Sequence, residues 1–480
     1  MADSVFSSNK RDPIKSSVGS VAGSRRRQHA VTIGKERRES LVRAKRLCRV
    51  GVSEGEVDVD MMLDQEQSFL ESQTLLAVDN LKSALASQGK GAVQKRVGAL
   101  QELRRLLSRS EFPPVESAVK AGAVAILVQC LSFGSPDEQL LEAAWCLTNI
   151  AAGNPEETKA LLPALPLLIA HLGEKSSSPV AEQCAWALGN VAGEDEELRN
   201  VLLIQGALVP LARMMLPNRR STVRTAAWAL SNLIKGLNPK AANELIRIDG
   251  VLDSIVRHLT KADDESATEV AWVVVYLSAL SNLATSMLVK SDVLQLLLNR
   301  LATSNSLQLM IPVLRSLGNL IAGDSHASYA VLVPGLEVTD TAIQVLIKCL
   351  KSEHRVLKKE AAWVLSNIAA GSVEHKQLIY SSDEKPSLIP EHLVSLVEKG
   401  CLPGFIDLVR SADIEAARLG LQFIELVLRG MPNGKGSKLV EQEDGIEAME
   451  RFQFHENEDL RTMANSLVDK YFGEDYGLDE

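Results

Sequence analysis

The chain is 480 residues long, 46% hydrophobic, 4% aromatic and 24% charged, with a formal net charge of −9. It is long enough for a large core, and Leu, Ala, Glu and Lys outweigh β-branched alternation, which argues for an all-helical protein rather than a sheet protein. The acidic total hides a split. Residues 1–50 hold 13 Lys or Arg against 4 Asp or Glu, a net of +9, so the other 430 residues carry −18, a body suited to basic ligands and ill suited to nucleic acid.

The N-terminal arm, residues 1–50, is polar and basic, with clusters at Arg25, Arg26, Arg27 and along KERRESLVRAKRLCR, which holds Arg37, Arg38, Arg43, Lys45, Arg46 and Arg49. Its composition predicts disorder, and the acidic stretch 51–75, with EGEVDVD, reads as a linker. No signal peptide opens the chain, and no charge-free apolar run reaches the ~18–20 residues that a membrane span needs. A soluble, intracellular protein is expected, with no membrane association.

From residue 76 onward the chain is an array. AAWCLTNIAAG (143–153) recurs as CAWALGNVAG (184–193), AAWALSNLIKG (226–236) and AAWVLSNIAAG (361–371). Trp145, Trp186, Trp228 and Trp272 are 41, 42 and 44 residues apart; Arg315 follows 43 later in the same frame, and Trp363 a further 48. A period near 42 fits armadillo or HEAT units. Each period also carries a second apolar segment, such as AGAVAILVQCL or QGALVPLARMML, and several carry a short amphipathic piece before it. Three helices per unit is the armadillo form, so the fold expected is an all-α, armadillo-repeat, right-handed solenoid spanning 76–430. Such units stack because none buries its apolar face alone, and the third helices line one concave surface.

One irregularity interrupts the array. After Trp363 come two first-helix-like segments, EHKQLIY and IPEHLVSLVEKG, with no second and third helix between them, so about one repeat is missing near 380–391. The last pair puts Arg418 and Gln422 at the expected Trp and Asn positions, 55 residues after Trp363. Residues 431–480 read as a loop, a final helix near 458–471 and an acidic tail. The six cysteines lack metal-ligand spacing and read as small core residues in a reducing compartment.

Each Trp and the Asn four residues later lie on one helix face. A single copy is equally well read as a core tryptophan and a structural amide. Five repeated asparagines, Asn149, Asn190, Asn232, Asn319 and Asn367, shift the balance. An unpaired buried amide costs ~1–3 kcal/mol, so the ladder is expected in an open groove, where amides bond an extended peptide backbone. Neighbouring indoles then wall slots for Lys or Arg, whose contacts with indole are worth ~0.5–2 kcal/mol. Glu194, Glu269, Asp324 and Glu360 lie close to ladder positions and supply carboxylates for the slot ends.

With basic arm, ladder and the acidic end KYFGEDYGLDE in this order, the sequence resembles importin α, the adaptor for nuclear-localisation-signal cargo, over almost its whole length. It looks like a divergent plant member of the alpha-9 type. The resemblance implies a major cargo site of Trp145, Asn149, Gly153, Thr158, Gln183, Trp186, Asn190, Glu194, Trp228, Asn232 and Glu269, with Gly153 and Thr158 capping a lysine pocket. Glu194 stands where the family usually has Asp. Tyr276 in place of Asn, and Arg315 in place of Trp, are departures that the family shares. The implied minor site is Arg315, Asn319, Asp324, Glu360, Trp363 and Asn367, and the family's seventh repeat corresponds to the missing chain.

The resemblance further implies that the arm binds importin β or else folds back as an internal competitor for the groove, a tethered ligand at up to about millimolar effective concentration. An export receptor and a small GTPase would recycle the protein, a monomer within a heterodimer, between cytoplasm and nucleus. A competing reading is an armadillo scaffold for folded signalling or ubiquitin-pathway partners. No catalytic residue, cofactor or metal is expected: GKGAVQKR and NGKGSK lack the phosphate-loop pattern, and the eight His are scattered.

Overall fold

The computed structural model describes residues 59–89, 91–109, 113–236, 238–323, 327, 337–370 and 391–473. The clusters of the basic arm, Asp324, the segment 371–390 and the end of the acidic tail lie outside these residues. The described residues are helical with no strand among them, and they divide between Ser254 and Ile255 into two compact units. The helices come largely in threes, two short and one long.

In the first unit the long helices are α1 (Ala92–Leu107), α2 (Asp137–Ile150), α3 (Ser178–Glu194) and α4 (Arg220–Ile234), and each packs on the next. Alanines of these helices, Ala143 and Ala144, Ala185, Ala226 and Ala227, are buried, and their small side chains suit close packing. The acidic linker expected over 51–75 is corrected. A helix, Val59–Ala86, runs through most of it and packs on α1, with Leu70, Ala77, Val78 and Leu81 buried. These residues recur at helical spacing, and Glu66 and Glu71 are exposed on the outer face of an amphipathic helix.

The second unit continues the pattern with α5 (Asp264–Leu280), α6 (Leu307–Gly323), α7 (Arg355–Ala370), α8 (Ile414–Gly430) and α9 (Glu458–Phe472). The loop expected at 431–438 is also corrected: after a short turn, helices Lys435–Gln442 and Gly445–Glu450 precede α9, completing a further three-helix set. Apolar residues of this set, Val440, Ala448, Met449 and Leu460, are buried.

The turn between the first and second short helices has the same solution in four repeats. Gly122, Gly206, Gly250 and Gly400 adopt φ of 82°, 81°, 82° and 83°, a left-handed conformation that residues with a Cβ avoid. Side-chain caps define several helix starts, with Asp195, Asp263, Asp413 and Asn457 accepting from main-chain N–H groups of the first turn. Cys130, Cys146, Cys184, Cys349 and Cys401 are buried. Burial pushes the Cys184 and Cys401 thiols up to about 12, so they pack as small neutral groups.

Candidate functional site on the long helices

Trp145 and Asn149 stand on α2, Trp186 and Asn190 on α3, and Trp228 and Asn232 on α4, so successive helices of the first unit carry the ladder in register. The asparagines are not in the open. Asn149, Asn190 and Asn232 are 8%, 0% and 3% exposed. Asn190 Nδ2 donates to the Thr148 carbonyl at 3.2 Å, and Asn232 Nδ2 to the Gly189 carbonyl at 3.2 Å. In the second unit Asn319 donates to the Val275 carbonyl at 3.2 Å and Asn367 to the Gly318 carbonyl at 3.3 Å. Each acceptor is the residue immediately before the preceding rung's Asn position.

This corrects the argument for an open amide. One N–H of each of these four amides, Asn190, Asn232, Asn319 and Asn367, is satisfied by the neighbouring repeat's main chain, a partner that the local sequence does not display. The ladder therefore first welds consecutive long helices together. An amide carries a second N–H and a carbonyl, so the weld does not use up the side chain's hydrogen-bonding capacity. At Asn232 the carbonyl is engaged as well: Lys235 Nζ donates to Asn232 Oδ1 and to the Gly193 carbonyl, both at 3.2 Å.

Trp145 and Trp186 are half-buried and Trp228 is 6% exposed. The Trp186 and Trp228 rings meet edge to face, with centroids 6.3 Å apart. A methylene stem held between two parallel rings needs about 3.5–4 Å on each side, so here it would lie against a ring's outer face or part the pair. The expectation of indoles as paired walls is revised accordingly. Trp228 lies against Gly189 of α3, where an added Cβ would come within 2.3 Å of the indole. The glycine of CAWALGN is thus the floor beneath the next rung.

An indole face does hold a cation within the protein. The Arg104 guanidinium lies 4.6 Å from the Trp145 ring centroid and pairs with Glu142. Arg104 precedes Trp145 by 41 residues, and Ser108, four further on, accepts from Asn149 Nδ2 at 2.8 Å. These two residues are the first rung, with Arg for Trp and Ser for Asn. Sequence reading missed them because neither residue marks the motif; the 41-residue offset was the available signal.

The other first-unit candidates play mixed parts. Gln183 Nε2 donates to Thr148 Oγ1 at 2.7 Å, bracing α3 against α2. Gly153 lies in the turn after α2, and Thr158 in the short helix Pro155–Lys159 that follows. Thr158 is fully buried, and its hydroxyl donates to the Asn154 carbonyl at 3.0 Å, so it shapes the turn from within. A Cβ on Gly153 would meet the Glu157 carboxylate that closes the Asn154 capping box. Glu194 is the last residue of α3 and is 8% exposed. Beside it the Ala192 carbonyl accepts from Arg199 Nη1 at 3.2 Å, and the Gly193 carbonyl from Lys235, cations placed where the helix dipole favours them.

In the second unit Glu269 is buried on α5, where Trp272 and Tyr276 stack with centroids 6.1 Å apart. Arg315 of α6 lies 5.8 Å from the Trp272 ring centroid, and its Nε is 2.9 Å from Glu360 Oε1 of α7, both side chains being buried. Trp363 is 9% exposed. Lys359 of α7 pairs with Asp413 at 3.0 Å and Glu415 at 3.3 Å, and Arg355 with Asp413 at 3.2 Å. Partial burial pushes the Asp413 carboxyl up, but bonds from Lys359, the Ala416 N–H and Arg355 outweigh it and hold its pKa below the ordinary value.

The sequence and fold are similar to those of known families and proteins. The armadillo/beta-catenin-like repeat matches residues 113–152 and 338–370, and the HEAT-like repeat matches 137–191. The chain is 68% identical over 519 positions to importin subunit alpha-9 of Arabidopsis thaliana, covering all of both chains. It is 62% identical over 509 positions to importin subunit alpha-2 of Oryza sativa subsp. japonica, covering 98% of this chain and 96% of that protein. A crystal structure of an engineered protein shares the fold at 22% identity with a TM-score of 0.68, over 86% of this chain and 96% of that one.

Proposed function

From the premise that the chain belongs to the importin α family, we propose that it is a receptor for lysine- and arginine-rich nuclear localisation signals, taken by the rungs Trp145, Trp186 and Trp228. The observation that carries this reading is the unbroken succession of three tryptophan rungs on α2, α3 and α4, each with an amide one turn on. The Arg104–Trp145 contact supports it, since the same indole chemistry suits a ligand's cation. Buried Glu194 at the end of α3 adds negative charge beside the ladder.

The basic arm is the segment by which the protein joins importin β and, when unoccupied, competes with cargo for the rungs. The adaptor moves between cytoplasm and nucleus with its cargo, and an export receptor with a small GTPase returns it.

The test is a fluorescence-anisotropy titration of a labelled lysine-rich peptide against the chain lacking residues 1–58. Binding should weaken steeply with salt, and Trp186→Ala with Asn190→Ala should weaken it about 30-fold or more, the loss of a hot spot. Binding untouched by the double substitution, with its fold intact by circular dichroism, would refute the reading and favour a scaffold for folded partners.

A further inference from the structure

Three long helices carry arginine at the rung, and each arginine is tied to a carboxylate of the next long helix. Arg104 pairs with Glu142, Arg315 with Glu360 at 2.9 Å, and Arg418 with Asp459 at 3.0 Å. After Arg104 three tryptophans follow in consecutive repeats of the first unit. Between Arg315 and Arg418, by contrast, stands a single tryptophan, Trp363.

The lone rung follows from how the second unit closes. Helix α7 meets α8 directly, through Lys359 and Arg355 on one side and Asp413 and Glu415 on the other. The preceding helices meet likewise: Lys399 Nζ, just after helix Glu391–Glu398, is 3.0 Å from Asp340 Oδ1 of helix Glu337–Leu350, and Gly404 of helix Leu402–Val409 lies so close to Leu350 that a Cβ would approach its Cδ2 to 2.7 Å. The helices before residue 371 and after residue 390 therefore meet directly, with charge pairs at both levels. The comparison with the alpha-9 relative runs over 519 positions, 39 more than this chain has, which is close to one repeat. At this junction Asn367 Oδ1 and Ser366 Oγ are buried without a hydrogen-bond partner among the described residues.

We infer that the protein reads a single basic cluster, held at the Trp145–Trp228 rungs, and that a second basic cluster on the same ligand adds no affinity. This rests on the proposed reading of those rungs. A second cluster would meet one indole bordered by two arginine rungs. It would also meet carboxylates already neutralised within the chain, since Glu360, Asp413, Glu415 and Asp459 each pair with a resident cation. A tethered second cluster multiplies affinity 10²–10⁴-fold when a second site exists, and by almost nothing when none does.

The experiment uses the full chain and two labelled peptides of equal length. Both carry one lysine-rich cluster and a Gly/Ser linker of about ten residues; the linker leads to a second Lys/Arg cluster in one and to alanines in the other. The expected result is two dissociation constants within about threefold of each other, the margin that extra charge contributes through general attraction. A two-cluster peptide binding tenfold or more tightly would overturn the inference while leaving the receptor reading intact. Failure of both peptides to bind would refute the receptor reading and this inference with it.

Discussion

The stretch from α1 to α4 and the stretch from α6 to α9 are built on the same frame and differ at the rung. In the first, one arginine rung is followed by Trp145, Trp186 and Trp228. In the second, arginine, tryptophan and arginine follow one another at 315, 363 and 418. The same helix face is then an aromatic tract in one case and a zipper of charge pairs in the other. The asparagine weld persists in both, from Asn190 to Asn367, so it serves the stack whatever the rung beside it does. Backbone bonding holds the repeat together, and the residue one turn earlier decides what the repeat can receive.

The largest effect expected from breaking this contrast is at the zipper. Glu360→Ala leaves the buried Arg315 guanidinium without its carboxylate, which costs about 3–5 kcal/mol for a buried pair. Denaturant unfolding should show the loss, and hydrogen exchange should localise it to α6 and α7; a change below 1 kcal/mol would mean that the pair is not what holds these helices. Next comes the aromatic tract. Gly189→Ala drives a methyl into the Trp228 ring and should cost about 1–3 kcal/mol by overpacking, with a shift in tryptophan emission. An unchanged emission spectrum would contradict the close packing of Trp228 on α3.

The smallest effect concerns the junction of α7 and α8. The Asp413 pKa is depressed in the folded chain, so its contribution is full above the unfolded value of ~3.9 and fades as pH falls through the lower, folded value. Lys359, whose bonds to Asp413 and Glu415 outweigh the opposing cost of burial, has a raised pKa, and its contribution fades only above the ordinary lysine range. Hydrogen exchange of α8 should therefore quicken below about pH 4 by no more than ~1 kcal/mol, and Asp413→Asn should remove that dependence. Equal acid sensitivity in the variant would assign the effect elsewhere.

Much of this was legible in the sequence because a period near 42 with Trp and Asn one turn apart has few structural meanings. The long helices, their stacking and the odd rungs at Tyr276 and Arg315 follow from it. What escaped was non-local. The carbonyls that receive the asparagine amides belong to the preceding repeat, so a local reading sees a costly buried amide where the structure has one whose N–H is engaged. The first rung, Arg104 and Ser108, shares neither marker residue with the motif. Acidic composition disguised the helix Val59–Ala86 as a linker, and MPNGKGSK, rich in loop-forming residues, hid a helix that starts at Lys435.

The difference between the two stretches can be read in one measurement. A lysine-rich peptide carrying a photo-reactive benzophenone, irradiated with the full chain and mapped by mass spectrometry, should label residues on α2, α3 and α4. Labelling concentrated on α7 and α8 instead would contradict the account, because it would place the ligand on the charge-paired face rather than on the tryptophan rungs.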